Sequence, residues 1–131
     1  MTRSIMTEIG SGELIDKITI LEIKSDRISD VEKLKNVKHE LSILSATRDA
    51  HLGGIDGLSD LATQLKAINE ALWEIEDDIR ACEAQKDFGQ KFIDLARAVY
   101  ITNDKRAAVK KEINLLTGAT IIEEKSYTDF T

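Results

Sequence analysis

The chain of 131 residues contains no proline, one cysteine and few aromatic residues. Because no proline interrupts it, a continuous helix from residue 12 to residue 50 is not forbidden. Cys82 stands alone, which excludes an intrachain disulfide, and its place on an apolar seam indicates a small buried side chain. Aromatic residues make up 5% of the chain, so aliphatic side chains must supply most of the hydrophobic core.

Long hydrophobic runs are also missing. Residues 1–12 contain no apolar signal-peptide core, and no segment approaches the length of a membrane span, so we expect a cytoplasmic protein without a membrane span. The net charge is −6, which argues against nucleic acid as a partner, because nucleic acid binding usually needs a basic face. The length favours one domain over residues 1–131.

One segment keeps an unbroken apolar heptad, with apolar residues at alternating steps of three and four. These residues, which we call the seam, are Leu58, Leu61, Leu65, Ile68, Leu72, Ile75, Ile79 and Cys82. Such spacing places eight side chains along one side of a single helix. The sequence therefore predicts an all-α fold, an antiparallel bundle of three or four long helices with coiled-coil-like packing.

Turn and capping residues predict where these helices begin and end. The first helix is predicted from Ser11 or Gly12 to about Ile28, with apolar residues on most of its circumference. A change in the phase of the apolar stripe, together with a capping box of Ser29 and Glu32, favours a break before a second helix. The Gly-rich loop 53–57 precedes the third helix, which runs to about Ala84.

A second cap, formed by Asp87 with Gln90, is predicted to start a fourth helix, which Gly118 ends at about Thr117. Residues 1–10 are expected to be a flexible N-terminus. Residues 119–131 are expected to form a short extended arm that Tyr127 and Phe130 anchor on the bundle.

Opposite charges lie on the third and fourth predicted helices. Residues 58–85 carry seven acidic and two basic residues, a net charge of −5, whereas residues 88–117 carry a net charge of +3. This contrast favours an antiparallel hairpin between the two helices, within one chain or across a dimer.

Polar residues on the first and fourth helices are the best candidates for a binding site. We expect them to line one cleft, where guanidinium groups hold an anion and amides hold hydroxyls. The candidates are Glu13, Asp16, Lys17, Arg97, Tyr100, Asn103 and Arg106. The competing interpretation is that the basic residues of the fourth helix pair with the acids of the third helix.

Three stretches of the chain are similar to a family of small bacterial all-helical proteins of uncharacterised function. They are residues 12–24 (GELIDKITILEIK), residues 72–77 (LWEIED) and the late residues 103–104 through 123–127 (EEKSY). The resemblance covers nearly the whole chain and implies a standalone domain. It supplies no reaction, so no functional residue can be transferred from it.

The preferred functional interpretation is a helical interaction or assembly protein, a bundle that forms a homodimer or docks on other proteins, rather than an enzyme. The alternative is a small all-helical enzyme or ligand-binding protein that holds an anionic substrate with basic residues of the fourth helix. One version is similar to chorismate mutase, and the other is a Mg²⁺-dependent nucleotide pyrophosphohydrolase, although the doubled-Glu motif of that family is missing. We expect no cofactor and no metal, because the two E-x-x-D pairs are common in charged helices.

Overall fold

The computed structural model describes residues 3–131, which form four α-helices and no β-strand. The helices are α1 (Ser11–Arg27), α2 (Val31–Leu52), α3 (Leu58–Ala84) and α4 (Gln90–Thr117). The all-helical prediction is confirmed. Of the helices within the described residues, none combines the length and the hydropathy that crossing a lipid bilayer requires.

The break between α1 and α2 falls at residues 28–30. Ile28 takes an extended conformation, and its N–H donates to the carbonyl of Lys24. Asp30 is the N-cap of α2, because its side chain accepts from the N–H of Lys33 at 2.9 Å. The break was predicted, but the capping box of Ser29 and Glu32 is wrong by one residue, since the carboxylate of Asp30 takes the capping position.

Glycine residues mark the boundaries of α3 and α4. Gly57 precedes α3 with a φ of 87°, and Gly118 follows α4 with a φ of 71°, as expected for a left-handed C-cap. The predicted cap of Asp87 with Gln90 is wrong. Gly89 is the N-cap of α4, and the Asp87 side chain instead accepts from the N–H of Gly89 at 3.1 Å within the loop.

The packing places α1 at the centre. α3 and α4 form the most extensive helix pair, α1 contacts both of them, and α2 packs mainly on α1. The core cluster joins these helices and contains Leu14, Ile15, Ile18, Leu58, Leu65, Val109 and Ile113. Its members come from α1, α3 and α4, so the apolar circumference of α1 is explained by burial between neighbours on several sides.

α3 and α4 are longer than α1, which packs against both of them. They contain 27 and 28 residues, whereas α1 contains 17, so the α3–α4 pair is longer by about 15 Å. We call its far part, residues 74–99, the distal hairpin. Within it Cys82 is buried, but the seam residues Ile75 and Ile79 remain half-buried, because α3 and α4 alone cover them.

Both ends of the described chain are extended. Residues 3–9 are exposed and non-helical, while residues 1 and 2 of the predicted flexible N-terminus lie outside the described residues. Residues 119–131 form the C-terminal arm, in which the Phe130 ring meets the Tyr100 ring edge-on at 5.3 Å. Tyr127 is 77% exposed, so the prediction that it anchors the arm is wrong.

Candidate functional site

A buried polar cluster lies where α1, α3 and α4 meet, and Asp16 is its centre. Asp16 is 1% exposed. Its Oδ1 accepts from Asn69 Nδ2 at 2.9 Å and from Arg106 Nε at 3.0 Å, and its Oδ2 accepts from Arg106 Nη2. This bidentate pairing supplies the opposite charge and the hydrogen bonds that a buried carboxylate requires.

Thr19 holds the side chain of Asn69 in the cluster. Its hydroxyl donates to the backbone carbonyl of Asp16 at 2.8 Å and accepts from Asn69 Nδ2 at 2.9 Å. The amide nitrogen of Asn69 must face these acceptors, because a carboxylate cannot donate. The amide oxygen therefore points elsewhere, and it accepts no hydrogen bond from residues 3–131.

A second ion cluster lies one turn further along α4. Lys110 Nζ donates to Glu13 at 2.8 Å, lies 3.9 Å from Asp16 Oδ2 and reaches Glu123 of the C-terminal arm at 3.4 Å. Burial lowers the pKa of Lys110, but the hydrogen bond to Glu13 and the surrounding carboxylates raise it further, so the pKa lies above the ordinary lysine value. The hydrogen bond with Asp16 raises the pKa of Arg106, while burial opposes it. Both cations therefore stay charged at neutral pH.

Close backbone packing fixes the start of α1 against α4. The N–H of Gly12 donates to Asn114 Oδ1 at 2.8 Å, which supplies the acceptor that an N-cap side chain commonly gives. A Cβ atom on Gly12 would lie 2.3 Å from the carbonyl oxygen of Lys110. Glycine is therefore required here by the close approach of two helices.

An open groove adjoins the buried cluster, and we call it the Asn69 groove. Its volume is about 490 Å³. It is lined by Ile20, Ile23 and Lys24 of α1, by Asn69, Leu72, Trp73, Glu76, Asp77 and Arg80 of α3, and by Val99, Asn103 and Arg106 of α4. The groove thus combines an apolar floor with a rim of charged and amide groups, the composition typical of small-molecule sites.

Some charged side chains on the rim of the Asn69 groove form ion pairs, and others do not. Arg80 Nε pairs with Glu76 at 2.7 Å. Arg27 lies with its guanidinium 5.8 Å from the centre of the Trp73 ring. Within residues 3–131, neither Lys24 nor Asp77 forms an ion pair, so one positive and one negative charge at the groove have no fixed partner.

A larger groove of about 550 Å³ lies on another side of α1, between the end of α2 and the start of α3. Ile15, Ile18 and Leu58 contribute apolar surface to it. Its charged residues Arg48 and Asp49 pair with each other at 3.0 Å. No polar side-chain atom is buried there without a partner, and the same is true throughout residues 3–131.

The structure divides the seven residues of the predicted cleft. Asp16 and Arg106 are brought into direct contact, and Asn103 lines the Asn69 groove beside Arg106. Glu13 lies one turn away, bonded to Lys110. The alternative, in which the basic residues of α4 pair with acids of the third helix, is wrong for Arg106 and Lys110, because their partners lie on α1 and, for Lys110, also on the C-terminal arm.

The other three predicted residues lie apart from this cluster. Lys17 and Arg97 are exposed and form no ion pair within the described residues, and Tyr100 packs against Phe130 of the C-terminal arm. Within residues 3–131 no group of three or more potential metal ligands is found.

Four residues of the site were not among the predicted set: Thr19, Asn69, Lys110 and Asn114. Lys110 and Asn114 were recognisable as polar residues on the inward side of the fourth helix. Asn69 follows Ile68 directly, but polar residues also follow Leu58, Leu65, Ile75, Ile79 and Cys82, so its position gave no signal of burial. Thr19 gave no signal, because threonine is common on buried helix faces.

Comparison with known proteins assigns the chain to a protein family. No curated protein and no solved structure matches the chain significantly. A family model described as "Family of unknown function (DUF6165)" matches residues 5–130. The chain therefore belongs to this family, DUF6165, whose function is unknown.

Proposed function

We propose that the chain is a helical assembly protein that associates with a second copy of itself through the distal hairpin. One observation carries this proposal: the accessible surface of the chain is too large for a compact protein of its mass. The area is 9225 Å² for 14.6 kDa. A compact monomer of this mass exposes about 6,900 Å².

The surplus, part of which belongs to the exposed residues 3–9 and to the C-terminal arm, exceeds the area of a standard interface. It amounts to about 2,300 Å², and a standard protein–protein interface takes about 800 Å² from each partner. Such an interface would bring the exposed area of each copy closer to that of a compact protein.

The distal hairpin offers the apolar surface that an interface needs. Phe88 is 51% exposed and Ile93 is 47% exposed, while Ile75 and Ile79 of the seam are half-buried. Two hairpins packed face to face would form a four-helix bundle and cover these side chains. The seam has Leu at three of four a positions and Ile at two of four d positions, a pattern that favours four helices in parallel coiled coils.

Charge favours a second copy as the occupant. Within the distal hairpin, residues 74–85 of α3 carry a net charge of −4, and residues 88–99, which include the start of α4, carry a net charge of +1. In a symmetric pair, α3 of each copy can lie beside α4 of the other, so opposite charges meet twice. The proposal places this homodimer in the bacterial cytoplasm, in keeping with the buried free thiol of Cys82.

Sedimentation equilibrium over a hundredfold range of protein concentration tests the proposal. We expect the wild type to approach twice its chain mass of 14.6 kDa. The Ile93→Glu variant should shift toward monomer, because a charge would enter the proposed apolar interface.

Ile43→Glu is the matched control. Ile43 is 51% exposed but lies on α2, away from the distal hairpin, so its variant should remain dimeric. A wild type that stays monomeric at every concentration contradicts self-association. A dimer that Ile93→Glu leaves intact contradicts the distal hairpin as its interface.

A further inference from the structure

We infer that the Asn69 groove binds a small carboxylate that carries a hydroxyl or amino group on the adjacent carbon and an apolar body. The groove shares Glu76, Asp77, Arg80 and Val99 with the distal hairpin, but ligand binding there does not require self-association. The groove offers a fixed hydrogen-bond acceptor, a fixed cation and an apolar floor.

The fixed acceptor is the amide oxygen of Asn69. The side chain is held by two hydrogen bonds from its nitrogen, to Asp16 and Thr19, and the residue is 6% exposed. No buried polar side-chain atom within residues 3–131 lacks a partner, so this unpaired oxygen keeps some accessible surface, and Asn69 is one of the residues that line the groove. A rigid acceptor with no donor from the protein requires a donor from a ligand or from water.

The fixed cation is Arg106. Its guanidinium and the Asn69 amide meet at the same oxygen of Asp16, at 3.0 Å and 2.9 Å, so the two groups are neighbours. Asp16 accepts hydrogen bonds from Nε and Nη2 of Arg106. The N–H groups of Arg106 Nη1 have no partner among the described residues. A ligand that offers an anionic acceptor beside a donor would satisfy both Arg106 and Asn69.

Lys24 is the group that would receive the carboxylate of the ligand together with Arg106. The charge of Arg106 is balanced by Asp16, and that of Arg80 is balanced by Glu76. Lys24 adds an uncommitted positive charge from α1, while the uncommitted negative charge is on Asp77 of α3. A carboxylate near Arg106 and Lys24 fits this distribution, and an amino group on the ligand could face the acidic side.

The floor of the groove accepts the apolar body. Ile20, Leu72 and Val99 contribute aliphatic surface, and the Trp73 indole lies beside them. The volume of about 490 Å³ lies within the range of small-molecule pockets, about 300–1,000 Å³.

The three stretches on which the family resemblance rests converge on this groove. Lys24 belongs to residues 12–24, Trp73 to residues 72–77, and Asn103 to the late stretch. These stretches are far apart in sequence, and the fold brings a side chain from each of them to one concave surface. The groove is therefore built from residues of α1, α3 and α4 together.

Fluorescence of Trp73 gives a direct test, because it is the single tryptophan of the chain and lines the groove. The probes are 2-hydroxy-4-methylpentanoate, leucine, and 4-methylpentanoate, which lacks the donor. We expect saturable emission changes with the first, the second or both, and binding about tenfold weaker for the analogue without a donor.

Two variants separate the groove from general charge effects. Lys24→Met should weaken binding of the hydroxy or amino acid several-fold without lowering the unfolding temperature, since Lys24 forms no ion pair. Lys17→Met removes an exposed charge from the same helix outside the groove and should change nothing.

Three results would overturn the inference. One is the absence of any saturable emission change up to about 10 mM of every probe. Another is equal affinity for the analogue without a donor, which would remove the role of Asn69. The third is equal loss of binding in Lys24→Met and Lys17→Met, which would indicate attraction by net charge alone.

Discussion

The ion pair of Asp16 and Arg106 permits a quantitative test of what holds α1 in place. Replacing Arg106 with leucine keeps the apolar part of the side chain but removes both hydrogen bonds to the carboxylate. Asp16 is 1% exposed, so its charge would be left in the core. Breaking a buried pair in this way commonly costs about 3–5 kcal/mol.

The structure favours the lower end of that range. The Arg106 side chain is 30% exposed, and Lys110 lies 3.9 Å from Asp16, so one cation would remain nearby. We therefore expect a loss of about 3 kcal/mol. For 131 residues the unfolding entropy is about 275 cal/mol/K, so the midpoint of thermal unfolding should fall by about 11 °C.

Calorimetry at one fixed protein concentration measures this effect, with Arg97→Leu as the matched control. Arg97 is exposed on the same helix and should shift the midpoint by little. A double variant, Asp16→Leu with Arg106→Leu, should recover most of the loss, because it removes the unpaired charge and leaves Thr19 to accept from Asn69. A loss below about 1 kcal/mol for Arg106→Leu, or a double variant no more stable than the single one, would refute the reasoning.

Two further predictions concern the contacts of α1 with α4. Gly12→Ala should lower stability by about 2 kcal/mol in urea unfolding, because its Cβ would meet the Lys110 carbonyl; unchanged or increased stability would contradict this. The pKa of Lys110 is raised in the folded protein. The stability that its charge contributes is therefore fully present below the ordinary lysine pKa of 10.5 and is lost as the pH rises through the higher pKa of the folded state. The stability difference between wild type and Lys110→Met should therefore shrink above about pH 10.5, and a difference that grows there would contradict the assignment.

The helices were predictable because their signals are local. The seam, the Gly-rich loop 53–57 and the stop at Gly118 each depend on a few neighbouring residues, and α3 begins and ends as predicted. The capping residues were less predictable. Asp30 rather than Ser29 caps α2, because the outcome depends on which of two adjacent side chains reaches the free N–H groups.

The candidate site was predictable only in part, because it depends on which helices meet. Asp16 and Arg106 were both identified as candidates, but the sequence does not say that they touch each other across 90 positions. Lys17 has the same chemistry as Lys110, yet it is exposed because it lies on the outward side of α1. Only the packing of α1 against α4 separates the two lysines.

The polar cluster also determines the rotation of α1 about its own axis, which the apolar pattern of α1 does not determine. A helix with apolar residues on most sides has no strongly preferred rotation from hydrophobic burial alone. Rotating α1 by one residue, or 100°, would carry the Asp16 carboxylate away from Arg106 and Asn69, and burying it without partners costs several kcal/mol. At the N-terminal end of α1, the contact of Gly12 with Asn114 fixes the position of α1 along its axis. Only glycine at position 12 permits so close an approach of the two helices. The polar contacts therefore select one arrangement of α1 among several that the apolar residues would accept, and the same contacts hold Asn69 and Arg106 rigid at the edge of the groove.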